Sequence, residues 1–106
     1  TVGIGAVMSA GFMIFASGTK GYRWIGKNTG IMNHQHSDNM DAKMHDMKAQ
    51  MKENKNCEMR CMQILRESTG MTVQEVNTKF IKNPSDQYYT AIIRQRQLLC
   101  DRQQNI

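Results

Sequence analysis

Residues 40 to 68 run without a single Gly or Pro, and strong helix formers dominate the stretch. Such a segment predicts one long helix, about 40 Å from end to end at 1.5 Å per residue. The whole chain has 106 residues, which allows at most one small domain with a modest core. A core of that size cannot cover so long a rod, so part of the helix is expected to project and meet a partner. Met40, Met44, Met47 and Met51 mark one face of it. Asn54, Lys55 and Asn56 break the stripe, and Cys57, Cys61, Ile64 and Leu65 resume it on a shifted face. Methionine adapts to irregular apolar surfaces, so the stripe reads as core or as subunit interface.

The flanks of this helix read as mixed α/β. Residues 2–17 carry no charge. They are too few and too glycine-rich to cross a bilayer, which takes about 20 apolar residues, and no basic segment precedes them as in a secretory signal. Residues 1–5 read as the end of a buried strand, so the chain reads as if it begins inside a domain. Residues 9–17 read as a buried helix with Gly18 in the left-handed conformation beyond its end. Two short strands follow, 22–25 and 31–34, joined by turn chemistry at 27–30, and then a polar loop at 36–39. After the long helix, Gly70 is the terminator. Thr72 and Glu75 form a capping box that opens a helix to about Phe80. Residues 83–86 read as a turn, Tyr88 and Tyr89 as a short strand, 90–97 as a last helix capped by Thr90, and 102–106 as a frayed tail.

Composition removes several classes of function. The net charge is +5 and the isoelectric point about 9.3, but no two basic residues are adjacent, so a dedicated nucleic-acid surface is not expected. Three cysteines, Cys57, Cys61 and Cys100, form no framework. An odd count of this kind points to reduced thiols and a cytoplasmic setting. Cys57 and Cys61 share a helix face, but the second closely spaced pair that a structural zinc site shows is missing, and no metal is expected. Gly3-Ile4-Gly5 lacks the third glycine of a dinucleotide fingerprint, and no cofactor is expected.

The chemistry concentrates in two places. Ser9 sits in Gly5-Ala6-Val7-Met8-Ser9-Ala10-Gly11, an uncharged small-residue turn that leads into an apolar run. His34 closes the apolar stretch Ile31-Met32-Asn33-His34-Gln35. A serine hydroxyl is a poor nucleophile until a neighbouring imidazole takes its proton, and this pair supplies both partners of a serine hydrolase. The plainer alternatives are a helix-capping serine and a strand-end histidine bonded to backbone. His45, on the long helix, reads as solvated surface.

Four stretches together resemble the C-terminal portion of the Clp protease proteolytic subunit family, serine peptidases that stack in two seven-membered rings. The Ser9 turn is similar to the family's Gly-x-Ala-Ala-Ser-Met-Gly or Ala. Ser17-Gly18-Thr19-Lys20-Gly21-Tyr22-Arg23 is similar to Ala-Gly-x-Lys-Gly-x-Arg. Asn28-Thr29-Gly30-Ile31-Met32-Asn33-His34-Gln35 resembles Asn-Ser-x-x-Met-Ile-His-Gln, and Ser68-Thr69-Gly70 resembles the His-Thr-Gly that closes the family's "handle" helix. The steps of 25 residues from Ser9 to His34 and 35 from His34 to Thr69 fit the family without gaps. The departures resemble the divergent forms found in some bacteriophages.

The resemblance implies a partial α/β fold of the Clp peptidase and crotonase type. Residues 1–36 and 70–101 would form its core and about 40–69 the projecting handle helix, within one partial domain spanning 1–106. It implies Ser9 as nucleophile, His34 as base and Asp86 as the third triad member. An ungapped count puts that member at Asn83. With three residues inserted, Asp86-Gln87-Tyr88-Tyr89-Thr90-Ala91 matches Asp-Arg-Phe-Leu-Ser-Ala, and Leu98-Leu99-Cys100-Asp101 falls on the closing Gly-Leu-x-Asp. The backbone N–H of Ala10 would supply one oxyanion donor, the second coming in the family from a glycine ahead of this stretch. His36, where the family has proline, and Ser37 would line the substrate strand. The implied activity is ATP-dependent hydrolysis of unfolded polypeptides fed by a Clp unfoldase, in rings that associate through the handle helix. A non-catalytic ring subunit and a crotonase-type acyl-CoA enzyme are the alternatives.

Overall fold

A computed structural model describes residues 1–89 and 100–104 of the chain. Two three-stranded sheets form the base. In the first, β1 (Val2–Gly3), β3 (Trp24–Gly26) and β6 (Arg102–Gln104) lie parallel with β3 in the middle. In the second, β2 (Ala6–Met8) runs parallel to β4 (Gly30–Asn33), and β5 (Gln87–Tyr89) runs antiparallel on the other side of β4. The opening segment therefore forms two strands, because Gly5, at φ 74°, turns the chain from one sheet into the other. It is also less buried than expected: Val2 and Ile4 are exposed.

Helix α1 (Ala10–Ala16) buries one face, Phe12, Phe15 and Ala16, and leaves Ile14 exposed. Ser9 and Ser17 flank it rather than belong to it. Gly18 is not left-handed, since the positive-φ glycines are Gly5, Gly21 and Gly70. Its small size serves another purpose: a Cβ there would stand 2.2 Å from Thr1 Oγ1 and 3.0 Å from Arg23 Cγ.

Helix α2 (Met44–Thr69) starts four residues later than the expected first residue, because residues 40–43 stay extended or bent, and ends at a left-handed Gly70. Only Leu65, Ser68 and Thr69 of it are buried. Met44, Met51 and Met59 stand exposed, and the molecule is 51 Å long against 27 and 22 Å across. The core gathers at the C-terminal end of this helix. Leu65 meets Val7, Phe12, Phe15, Ile25, Ile31, Val76 and Phe80 in one cluster. The radius of gyration, 15.0 Å, exceeds the roughly 13 Å of a compact chain this long, as a projecting rod requires.

The capping box forms as expected, with Glu75 N donating to Thr72 Oγ1 at 3.2 Å and Thr72 N donating to Glu75 Oε2 at 2.9 Å. It opens α3 (Val73–Val76), which loosens into a π-helical turn over Asn77–Ile81 instead of running on as α-helix. That turn buries Phe80 against Phe12, ring centroids 6.0 Å apart. The expected frayed tail is corrected by β6: three backbone positions there pair with β3, from Trp24 opposite Arg102 to Gly26 opposite Gln104. The helix expected over 90–97 lies outside the described residues. Among the described residues no helix is long and apolar enough to cross a membrane.

Candidate active site

Parallel strands β2 and β4 end side by side, and each is followed at once by a residue carrying chemistry. Met8 pairs with Met32, and Ser9 N then donates to the Met32 carbonyl at 3.0 Å. His34 follows Asn33, the last residue of β4. Both side chains thus emerge beyond the carboxyl ends of parallel strands, where open α/β sheets bind ligands. Ser9 Oγ lies 2.8 Å from His34 Nε2.

The tautomer of His34 follows from its other contact. Nδ1 stands 2.7 Å from the Gln35 carbonyl oxygen. A carbonyl can only accept, so Nδ1 carries the proton and donates it. In the neutral imidazole Nε2 is then the unprotonated nitrogen, and the Ser9 hydroxyl donates to it. This is the state in which an imidazole can act as a base.

Ser9 has the backbone of a nucleophile turn. At φ 52° and ψ −120° it is the one described non-glycine residue with positive φ, and its side chain makes no cap hydrogen bond to α1. A residue in so sparsely populated a region costs about 1–3 kcal/mol and persists where the surroundings impose it. Here the bond to Met32 holds the turn on one side, and Phe12 N, donating to the Ser9 carbonyl at 3.0 Å, holds it on the other. The turn lifts the hydroxyl out of the sheet to an exposed position, as a strand-to-helix elbow does. The Ala10 amide has no acceptor among the described residues.

Asp86 is one step past the last β4–β5 pair, Asn33 with Gln87, so its backbone lies at the same sheet end as His34. It is exposed and makes no hydrogen bond to His34, whose Nδ1 is occupied by Gln35. The alternative position, Asn83, is engaged in its own turn, accepting from Ser85 N at 3.1 Å. His36 lines the cleft beside Ser9, whereas Ser37 is exposed and not part of its wall. His45 is solvated on α2, 3.5 Å from Asp46. Among the described residues no three His, Cys, Asp or Glu side chains converge as metal ligands do.

A model of the Clp protease family matches residues 1–95. The chain belongs to the Clp protease family. It is also similar to the ATP-dependent Clp protease proteolytic subunit 1 of Leifsonia xyli subsp. xyli, 33% identical over 91 residues. Those residues are 86% of this chain and 45% of the relative, so the chain spans about half the length of the curated protein it matches.

Within this family member, two features of the site are invisible to motif reading. Asn33 is buried and its Nδ2 donates to the Phe80 carbonyl at 3.0 Å and to Gln87 Oε1 at 3.1 Å. Gln87 in turn donates from Nε2 to the Lys79 carbonyl. This chain of amides fixes the end of β4, and hence His34, against the π-helical turn. The available signal was a polar residue at an inward position of an otherwise apolar strand. The second feature is the cleft wall. The cleft is about 380 Å³, and α2 contributes Cys57, Cys61 and Leu65 to it opposite Ser9 and His34. Burial, reinforced by the neighbouring Cys57 thiol, pushes the Cys61 thiol up from its ordinary value.

Proposed function

We propose that the chain carries the nucleophile and the general base of a serine endopeptidase of the ATP-dependent Clp type. The observation that supports this most is the 2.8 Å contact between Ser9 Oγ and His34 Nε2, in the tautomer a base requires. Ser9 attacks the peptide carbonyl while His34 takes its proton, then returns it to the leaving amine. The Ala10 amide is one oxyanion donor. A complete hole takes a second from elsewhere in the assembled protein, since one missing donor costs on the order of 10²–10³ in rate.

Asp86 is the third member in this reading. A rotation of the His34 ring away from the Gln35 carbonyl hands Nδ1–H to the carboxylate, which stabilises the imidazolium as a carbonyl cannot. His36 and Ser37 lie on the segment along which a substrate strand pairs. The substrates are unfolded polypeptides delivered by an ATP-driven Clp unfoldase in the cytoplasm, and the exposed Met face of α2 joins copies of the subunit into stacked rings. A non-catalytic ring subunit is the second reading, favoured by one observation: the Nδ1 proton is spent on a backbone carbonyl instead of a carboxylate.

Labelling of the full-length, assembled protein with a serine-reactive fluorophosphonate separates the two. The peptidase reading expects label on Ser9, none in Ser9→Ala or His34→Ala, and labelling slowed by up to about 10⁴-fold in Asp86→Asn. Absence of label on Ser9 leaves the structural subunit. Unchanged labelling of Asp86→Asn removes Asp86 from the triad.

A further inference from the structure

Cys57 and Cys61 are one helical turn apart on α2 and both line the cleft that holds Ser9 and His34. Both are half-buried, so each thiol is partly accessible, in contrast to the buried Cys100. Neither takes part in the chemistry described above. We propose that Cys57 is a thiol control point of this cleft: exchange with a small-molecule disulfide leaves a covalent adduct in the space beside Ser9 and closes the site.

The two thiols differ in position. Cys57 lies one helical turn further than Cys61 from the buried end of α2 at Leu65, Ser68 and Thr69, and burial pushes the Cys61 thiol up. The thiolate is the attacking species, and Cys57 is the attacking sulfur. It loses its proton to solvent and attacks one sulfur of the disulfide. The reagent's S–S bond breaks, a new S–S bond joins Cys57 to one half, and the other half leaves as a thiolate that takes up a proton. Cys57 is oxidised and half of the reagent is reduced, with no further co-reactant.

The adduct stays where it forms. Side chains four apart on a helix have Cβ atoms about 5–6 Å apart, whereas a disulfide needs roughly 3.5–4.5 Å. Cys61 therefore cannot expel the adduct by closing an intrahelical bridge without unwinding α2. Persistence of the mixed disulfide distinguishes this pair from a dithiol switch. A cleft of about 380 Å³ is at the small end for ligand sites, so a tripeptide-sized adduct on its wall competes with any substrate for the same volume.

The consequence for Ser9 rests on the peptidase reading, and the test keeps the two apart. Full-length protein is incubated with glutathione disulfide, the adduct is mapped by peptide mass, and two readouts follow: fluorophosphonate labelling of Ser9 and the NMR signal of the His34 ring Cε1–H, which needs no turnover. The expected result is one glutathione on Cys57, loss of Ser9 labelling, a displaced His34 signal, and reversal of all three by dithiothreitol. Cys57→Ser is expected to form no adduct in the cleft, and its readouts are the same with and without the disulfide. An adduct on Cys57 that moves neither readout, or modification that spares Cys57, overturns the proposal. If untreated Ser9 is never labelled while the adduct still displaces the His34 signal, the peptidase reading fails and the thiol site stands.

Discussion

Ser9 combines a reactive contact with an unfavourable backbone, and the two can be separated by substitution. At φ 52° a side chain is strained, whereas glycine occupies positive φ freely. Ser9→Ala and Ser9→Gly both remove the hydroxyl, but only Ser9→Gly relieves the turn. The glycine variant is expected to be the more stable by about 1 kcal/mol, read as a melting temperature about 5 °C higher than that of Ser9→Ala. Equal melting temperatures would show that the turn is unstrained. The strain was not legible in the motif, because a serine after a small-residue turn looks the same whether it caps the helix or faces a base. What decides is the direction of Oγ, toward His34 and away from the α1 amides.

At the level of elements, α2 shows how a local signal and a tertiary one divide the work. Its C-terminal end was legible in Gly70, which adopts φ 74° and whose amide donates to the Arg66 carbonyl at 2.8 Å. A Cβ at Gly70 meets nothing within 4 Å, so Gly70→Ala tests backbone conformation alone. It is expected to cost about 1–2 kcal/mol and to lower the melting temperature without altering the cleft. Retention of full stability would mean the terminator is set by packing of Leu65, Ser68 and Thr69 instead. The beginning of α2 was not legible: residues 40–43 suit a helix by propensity, yet all four are exposed, so no burial holds one. The π-helical turn at Asn77–Ile81 is the converse case. There, burial of Phe80 outweighs regular helix geometry.

At the scale of the molecule, Arg23 and Asp101 join distant segments. Arg23 is 1% exposed. Its Nε and Nη2 donate to the two Asp101 carboxylate oxygens, both at 2.9 Å, and Nη1 donates to the Ser68 carbonyl at 2.9 Å. One side chain thus ties β3 to the last turn of α2 and to the segment entering β6. The guanidinium holds the Asp101 carboxyl down at about 2. A carboxyl lowered on folding adds stability that is present above its ordinary value, near 4, and is lost as pH falls toward about 2. Acid titration of stability is expected to steepen over that window and to flatten there in Asp101→Asn. That variant leaves the buried guanidinium without its partner charge, at a cost of about 3–5 kcal/mol at neutral pH. An Asp101→Asn protein with unchanged stability and the same acid profile would sink this account.

The sequence alone determined the elements whose causes are local: the long helix without Gly or Pro, the Gly70 stop, the Thr72–Glu75 box, and Ser9 and His34 as a candidate pair. Each depends on residues within a turn of one another, or on motifs with a fixed step. Only the tertiary structure decided what those residues face. Strand register brings Ser9 and His34 to one sheet end, and packing of α2 carries Cys57 and Cys61 into their cleft. Backbone pairing with β3 turns the expected tail into β6. The His34 proton points at the Gln35 carbonyl, while Asp86, whose backbone lies at the same sheet end, makes no hydrogen bond to His34. Such outcomes depend on contacts between residues far apart in the chain, and one residue of register shift reverses which face a side chain presents.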